Sequence, residues 1–283
     1  MGGERSAVAI GGGKRSKRML WLLYQPYKWL VFLPLLALST CFFVGLGVIF
    51  IFLFDDRVAN RTTGVWWSRF NAFITPMRVT VVGRENIRMG QSYIVCSNHQ
   101  SSYDIFVLFG WLGIDLKWVI KKELRAYPVF GYAVEKGGNI VIDRSNPREA
   151  YKSLEKARQK IAGGTSIIML PEGTRSRTGE LGEFKKGAFV LARELNLPIL
   201  PVSITGTREI LPPKTLDLFP GRATMRIHHP VDVNEYRDEP LEKLIHDVRE
   251  IIRSGLSQWA ERRWEWEGMR ACVRAARARN ALR

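Results

Sequence analysis

Apolar residues along the chain follow three patterns: one long run near the amino terminus, several short runs, and stripes that recur every three or four residues. Short apolar runs are typical of buried strands, and the stripes are typical of helices with one buried face. The two patterns alternate between residues 76 and 235. This alternation predicts an α/β fold, a layered domain with a mostly parallel sheet flanked by helices.

Local signals predict the individual elements of this domain. A helix is expected to begin at Asp104, with Ser101 or Ser102 as its cap, and a second begins at the cap residue Asn146, extending over 146–161. A third helix, starting at Pro240, is expected to pack on the domain. The remaining predictions are strands over 92–96, 166–170, 199–204 and around 223–227, short strand-type runs beside Lys121 and Arg144, and a helix over 185–196.

The long apolar run extends from Trp29 to Phe54 and carries no charge. At about 1.5 Å per residue it is long enough to cross a hydrocarbon core of about 30 Å. Basic residues precede it, so the positive-inside rule puts the amino terminus in the cytoplasm. Pro34, Gly45 and Gly47 interrupt the run, so both a straight span and a re-entrant pair of half-helices stay open. Of the two, we expect a segment that enters the inner leaflet and returns by the same face.

These patterns divide the chain into four parts. We expect a basic amino-terminal segment over 1–28, a membrane-associated helical segment over 29–75, the α/β domain over 76–235, and a helix with a basic tail over 236–283. The arginines and tryptophans of the tail suit either contact with anionic lipid or a solvated tail.

The chemically most informative residues are His99 and Asp104, which lie five residues apart between a predicted strand and a predicted helix. A neutral imidazole can take a hydroxyl proton, and a carboxylate on its other nitrogen fixes the tautomer and stabilises the imidazolium. Such a pair suits the activation of an alcohol. Alone it is weak evidence, since most turn histidines are structural.

Two further segments supply groups for an anion. Gly173, Thr174 and Arg175 follow the predicted strand 166–170, and they combine a flexible backbone, a hydroxyl and a planar guanidinium suited to phosphate. Glu172 in the same turn makes a simple phosphate nest less straightforward. Lys121 and Arg144 provide a second group of cations, although Arg144 beside Asp143 also suits an exposed ion pair.

Four blocks of the chain together resemble the glycerolipid acyltransferases that acylate lysophosphatidic acid, the 1-acylglycerol-3-phosphate acyltransferases. The resemblance runs from about Val79 to Val231 and shows no departure at the positions that this family uses. The blocks, in order, are residues 98–104 (NHQSSYD), 138–144 (GNIVIDR), 171–176 (PEGTRS) and 200–202 (LPV).

The resemblance implies an enzyme of phospholipid biosynthesis, with His99 and Asp104 as catalytic residues. It implies that Lys121, Arg144, Glu172, Gly173, Thr174 and Arg175 bind the substrate phosphate. Its partners would be lysophosphatidic acid, acyl-CoA or acyl carrier protein as the thioester donor, and membrane lipids, at the cytoplasmic face of the cell membrane. The product would be phosphatidic acid, formed without a covalent acyl-enzyme.

Two alternatives stay open. The same motifs describe a phosphate and a hydroxyl without fixing the rest of the acceptor, so another lysolipid or glycerol 3-phosphate is the alternative substrate. From a different class, the chain could be a membrane-tethered binding protein whose His99 is inert. The complete set of His99, Asp104, Glu172 and Arg175 argues against that loss of activity.

Composition narrows the partners further. The formal net charge of +16 favours an acidic partner, either an anionic membrane, an acidic protein or nucleic acid. Nucleic acid is not expected, because the chain has no zinc-finger spacing, RNP-type aromatic block or helix-turn-helix pattern. The three cysteines show no metal or disulfide spacing, so neither a metal nor a cofactor is expected. His228 and His229 have no acidic neighbour and are expected to be structural.

Overall fold

The computed structural model describes residue 22 and residues 24–121, 136–142, 161 and 164–257. The basic amino-terminal segment before residue 22, the helix predicted from Asn146 and the tail after residue 257 lie outside the described residues. Asp143 and Arg144 lie outside them as well, and for Lys121 only the backbone is described.

One seven-stranded sheet forms the centre of the domain, in the order β1-β7-β6-β2-β5-β3-β4. The five strands from β6 to β4 run parallel to one another, while β7 runs antiparallel to β6 and carries β1 parallel to itself. The predicted mostly parallel sheet is therefore confirmed. Its strands are β1 (Met77–Val82), β2 (Ile94–Ser97), β3 (Asp115–Lys121), β4 (Ile140–Ile142), β5 (Thr165–Met169), β6 (Ile199–Thr205) and β7 (Gly221–Ile227).

Helices cover both faces of the sheet. Alternate residues of β2 point to opposite sides, so Val95 packs in one core cluster and Ile94 packs in the other. The first cluster includes residues of helix α3 (Asp104–Trp111) and the second includes residues of α4 (Gly187–Leu195). The second also contains Leu244, Val248 and Ile252 of α6, a helix over 241–257, so the predicted packing of this helix is confirmed.

The amino-terminal part forms a helical hairpin. Its first arm, α1 (Tyr24–Leu53), is the one described helix that is long and apolar enough to cross a membrane, and little of it is buried. The chain turns at Phe54 and Asp55, and the second arm, α2 over residues 56–74, packs against both α1 and α3. The exposed apolar face of α1 indicates membrane association. Its exposed residues include Trp29, Leu30, Leu38, Phe42, Ile49 and Phe52.

The predicted interruption of the apolar run is wrong in its position. The helix continues through Pro34, Gly45 and Gly47. A π-helical stretch, Lys28–Phe32, comes just before Pro34 and is a local adjustment that accommodates a proline inside a helix, and a glycine in a helix costs only about 1 kcal/mol. The break comes at Phe54 instead, and the Asp55 carboxylate caps the second arm by accepting the Val58 N–H at 2.7 Å.

A buried lysine joins the hairpin to the sheet. Lys117 in β3 is almost fully buried, and its ammonium donates to Asp56 Oδ2 at 2.8 Å and to the Gly137 carbonyl at 3.0 Å. Asn60 in α2 donates to the same Gly137 carbonyl at 3.0 Å. Gly138 has φ +73°, and a Cβ there would lie 2.2 Å from Asp56 Oδ2. The turn before β4 is therefore built around a residue of the hairpin.

Candidate active site

The turn after β2 carries His99, at the carboxyl end of a central strand where α/β folds bind ligands. His99 Nδ1 lies 2.8 Å from Asp104 Oδ2. The Asp104 side chain is completely buried, and that of His99 is 15% exposed. The pair is therefore closed on the carboxylate side and accessible from the surface on the other.

Asp104 accepts hydrogen bonds on both of its oxygens. Oδ2 accepts the backbone N–H groups of Gln100 at 2.7 Å and Ser101 at 2.9 Å as well as the His99 ring, and Oδ1 accepts the Thr207 hydroxyl at 2.6 Å. These four donors hold the carboxylate in place beside the His99 ring.

The serine cap predicted for α3 is a different arrangement in the structure. Tyr103 precedes the helix and makes no side-chain cap. The Asp104 carboxylate instead accepts the amide hydrogens of Gln100 and Ser101, which lie in the turn before the helix. Ser101 Oγ accepts the Tyr103 N–H at 3.2 Å and donates to the Leu211 carbonyl at 2.7 Å.

Asn98, directly before His99, ties β2 to β6. Its side-chain oxygen accepts the Ile204 N–H at 2.7 Å, and its amide nitrogen donates to the Ile204 carbonyl at 2.8 Å. Asn98 is fully buried, so both bonds form away from water. The strand that contains residues 200–202 is thereby held in register with the His99 turn.

Glu172 holds the other side of the same turn. Its Oε1 accepts the His99 N–H at 2.8 Å and its Oε2 accepts the Gly182 N–H at 3.0 Å. Burial raises the pKa of this carboxyl, against the two amide hydrogens that lower it. Since a carboxylate repels phosphate and both oxygens are engaged, the geometry favours a positioning role for Glu172 over the predicted contact with phosphate.

Gly173, Thr174 and Arg175, in the turn after β5, are exposed, and the turn lies beside His99. The His99 carbonyl accepts the Ser176 N–H at 2.8 Å, and Arg175 Nη1 donates to Ser102 Oγ at 2.6 Å. Gly173 has φ +71°, a conformation that favours glycine, and Thr174 is exposed next to it. The structure thus brings Arg175, Thr174 and Gly173 to the edge of the turn that holds His99.

Lys185 is a cation that the sequence analysis missed. A Cβ on Gly173 would lie 2.9 Å from Lys185 Nζ, so the ammonium rests against the glycine turn. Lys185 is exposed, whereas its neighbour Lys186 pairs with Glu242 at 2.8 Å. The Lys-Lys pair at the start of the predicted helix 185–196 was the available signal, although it does not tell which lysine faces the turn.

Among the described residues, no group of three or more His, Cys, Asp or Glu side chains is arranged to hold a metal ion. Cys96 is buried in β2, and burial raises the pKa of its thiol to about 12. A thiol with so high a pKa is a poor nucleophile at neutral pH.

Comparison with known proteins assigns this fold and site to a class. A family model described as Acyltransferase matches residues 78–205, which contain the His99 turn, the Arg175 turn and the strands that carry them. The crystal structure of a 1-acyl-sn-glycerophosphate acyltransferase, PlsC, from Thermotoga maritima superposes with a TM-score of 0.69 at 28% identity. The match covers 86% of this chain and 98% of that one. The domain is an acyltransferase domain.

Curated relatives narrow the class to one family. The 1-acyl-sn-glycerol-3-phosphate acyltransferase of Saccharomyces cerevisiae is 30% identical over 80% of this chain and 76% of its own length. That of Pseudomonas aeruginosa is 33% identical over 63% of this chain and 71% of its own length. The chain belongs to the 1-acyl-sn-glycerol-3-phosphate acyltransferase family. It spans only about half the length of some members, such as 56% of a chloroplastic enzyme of Arabidopsis thaliana.

Proposed function

We propose that this protein transfers a fatty acyl group from a thioester to the free hydroxyl of 1-acylglycerol-3-phosphate and so forms phosphatidic acid. The observation that carries the proposal is the bonded pair of His99 and Asp104, which lies beside an exposed arginine turn. The names of the relatives in yeast and Pseudomonas support the same acceptor. The thioester is acyl-CoA or acyl carrier protein.

In this reaction His99 is the general base. Because Nδ1 donates to the ionised Asp104, Nε2 is the nitrogen that accepts a proton. The acceptor hydroxyl oxygen attacks the thioester carbonyl as Nε2 removes its proton, and the charge that develops on the ring is stabilised by Asp104. The carbon–sulfur bond then breaks, and the leaving thiolate takes the proton back. No residue is acylated.

The phosphate of the acceptor binds at the exposed turn. Arg175 uses one guanidinium N–H on Ser102 and keeps its other donors for a phosphate, with the Thr174 hydroxyl and the Gly173 backbone beside it. Lys185 adds a second cation at the same glycine. Lys121 and Arg144 remain sequence-based members of this site, while Glu172 positions the His99 backbone.

The hairpin keeps this site next to a bilayer. We propose that the exposed face of α1 lies in the cytoplasmic leaflet of the cell membrane, and that α1 and α2 enter and leave by the same face, because α2 packs on the domain that holds His99. Thioester donors and the charged headgroup of the acceptor are then on the same side. The four-part division of the chain is retained, with 76–235 as the catalytic domain.

The direct test is an assay of the purified full chain in mixed micelles, with lysophosphatidic acid and either acyl-CoA or acyl carrier protein as labelled donor. We expect labelled phosphatidic acid with at least one donor. Parallel reactions with glycerol 3-phosphate and with other lysolipids test the alternative acceptors. Product only from one of these would replace the proposed acceptor, and absence of product from all of them would support the binding-protein alternative.

Variants of Arg175 and of the neighbouring lysines Lys185 and Lys186 test the phosphate site. Arg175→Ala and Lys185→Gln should each raise the KM for lysophosphatidic acid by about tenfold or more, as loss of a charge-assisted bond predicts, with little change in the KM for the donor. Lys186→Gln is the matched control, since Lys186 is occupied by Glu242. A rise in the donor KM alone would assign these cations to the phosphates of the donor.

Impermeant thiol labelling tests the topology. Single cysteines at Ser16 and at Met89, whose side chain is 74% exposed, would be introduced into a variant without the native cysteines and probed in sealed cells. Protection of both sites is expected. Labelling at Met89 alone would mean that α1 spans the membrane and that the catalytic domain lies outside.

A further inference from the structure

The chain leaves β6 through a turn that fixes the position of Thr207. Gly206 has φ +85°, and a Cβ there would lie 2.0 Å from the Arg222 carbonyl oxygen of β7. Only glycine fits this close approach, and Thr207 begins the one-turn helix α5 (Thr207–Ile210) immediately after it. The Thr207 side chain is completely buried and donates to Asp104 Oδ1 at 2.6 Å.

Thr207 thereby occupies the carboxylate oxygen that the histidine does not use. Oδ2 of Asp104 accepts hydrogen bonds from the His99 ring and from two backbone amides, whereas Oδ1 accepts the hydrogen bond from the Thr207 hydroxyl. We propose that Thr207 is a positioning residue for the base, which holds the carboxylate plane so that Oδ2 faces His99. This inference rests on the proposed function.

Loss of this hydroxyl would change both the geometry and the charge at the ring. Without it, the carboxylate could rotate about its terminal torsion, which has a broad minimum. The hydroxyl also draws off part of the negative charge on Asp104, so its removal leaves more charge for an imidazolium. A more strongly stabilised imidazolium moves the acid limb of the pH–rate profile to higher pH. The other charged groups near the turn, Glu172 and Arg175, are the same in every variant.

The test compares Thr207→Val with the full-length wild type in the lysophosphatidic acid assay. Valine keeps the shape and removes the donor. We expect kcat to fall by about tenfold to a hundredfold, as for loss of a hydrogen bond to a charged group, with both KM values unchanged within about twofold. The acid limb of kcat/KM should move to higher pH. Thr207→Ser, which retains the hydroxyl, should recover most of the rate.

Thr205→Val is the matched control, because Thr205 is buried at the end of β6, two residues before Thr207, and its hydroxyl reaches the Thr224 carbonyl only at 3.5 Å. It should keep the wild-type kcat and pH profile. The proposal is overturned by a Thr207→Val enzyme with wild-type kcat and an unmoved acid limb. It is equally overturned by a Thr207→Ser enzyme as slow as Thr207→Val, since the methyl group would then be what matters.

Circular dichroism shows whether Thr207→Val folds. If it does not, the kcat of Thr207→Ser still tests the role of the hydroxyl. Thr207→Cys is a further variant, since it places a weak thiol donor at nearly the same volume. An intermediate kcat for the cysteine variant supports the proposal, and a kcat equal to that of wild type contradicts it. A wild-type protein that acylates none of the acceptors would instead refute the proposed function itself.

Discussion

His99 and His228 both follow the end of a strand, but their surroundings differ in one group. The ring of His99 meets the buried Asp104 carboxylate and retains some exposure. The ring of His228 meets the Ser203 hydroxyl at 2.8 Å, and that hydroxyl donates its hydrogen to the Ile252 carbonyl at 2.8 Å. Burial lowers the pKa of His228 to about 4, and the charges of Arg226 and His229 act in the same direction.

Under the proposed function, this difference in hydrogen-bond partners explains why His99 acts as a base and His228 does not. Ser203 has one hydrogen and gives it to Ile252, so His228 Nε2 must carry a hydrogen and donate it to the serine. The ring is then a neutral structural donor between β6, β7 and α6, as expected from the lack of an acidic neighbour. His99 has the same ring with a carboxylate on Nδ1, which leaves Nε2 to accept a proton.

Replacement of each histidine in turn should give the largest difference in activity between the two sites. Because removal of a general base costs roughly 10²–10⁴ in rate, His99→Ala should lose that much of kcat while it stays folded and membrane-bound. His228→Gln should keep the wild-type kcat. Radiolabelled product formation and circular dichroism measure both. Near-normal turnover in His99→Ala would refute the assignment of the base.

Replacement of the Asp104 carboxylate tests the role of the charge, because it gives His99 a neutral partner like that of His228. Asp104→Asn keeps the side-chain shape but loses the charge and can favour the wrong tautomer, so we expect kcat to fall roughly 10²–10⁴-fold. The pH–rate profile would be recorded beside it. Full activity in this variant would reduce Asp104 to a residue that starts α3.

The Glu172→Gln variant tests how strongly the activity of His99 depends on the hydrogen bonds that hold its backbone. The glutamine oxygen can accept from only one of the two amides, His99 or Gly182, so one hydrogen bond to a charged group is lost, at a cost of about 1.5–3 kcal/mol. We expect about a tenfold loss of kcat and a lower melting temperature. Glu183→Gln, exposed in the same loop, is the control. A change of KM for lysophosphatidic acid alone would return Glu172 to the phosphate site.

The smallest effect concerns acid stability at His228. The unfolded ring takes a proton near pH 6.5 and the folded ring only near pH 4, so the unfolded state binds more protons between these values. Stability therefore falls as the pH drops through this window, by on the order of 2 kcal/mol. His228→Gln should flatten this dependence in denaturant titrations. The exposed neighbour variant, His229→Gln, should retain the wild-type slope.

Local patterns were sufficient for much of the fold. The apolar runs predicted β2, β5 and β6 to within two residues at each end, and the change from strand to helical periodicity predicted the start of α3 at Asp104. The spacing of His99 and Asp104 also identified a pair that the structure brings to 2.8 Å. Each of these depends on residues close together in the chain.

Such local patterns cannot predict contacts between segments that lie far apart in the chain. Thr207 lies 103 residues from its partner Asp104, and Glu172 lies 73 residues from the amide it holds, so neither role was visible in the spacing. The reversed direction of β7 has the same origin, because an apolar run carries no information on which neighbour it joins. The hairpin turn at Phe54 was not predicted, because proline and glycine inside the apolar run suggested an earlier break. The charged residues that directly follow Phe54 were the better signal.

The buried ammonium of Lys117 makes the anchor part of the architecture. Deletion of residues 1–75, the usual route to a water-soluble version, would remove Asp56 and strand a positive charge in the interior, with Asp115 Oδ1 left at 3.6 Å. We expect such a truncation to be unstable, and Lys117→Met within it to recover part of the loss, as thermal unfolding of the two would show. The α/β domain and the hairpin therefore depend on each other for stability. A chimera with the hairpin of a homologue would need a partner for Lys117 at the position of Asp56.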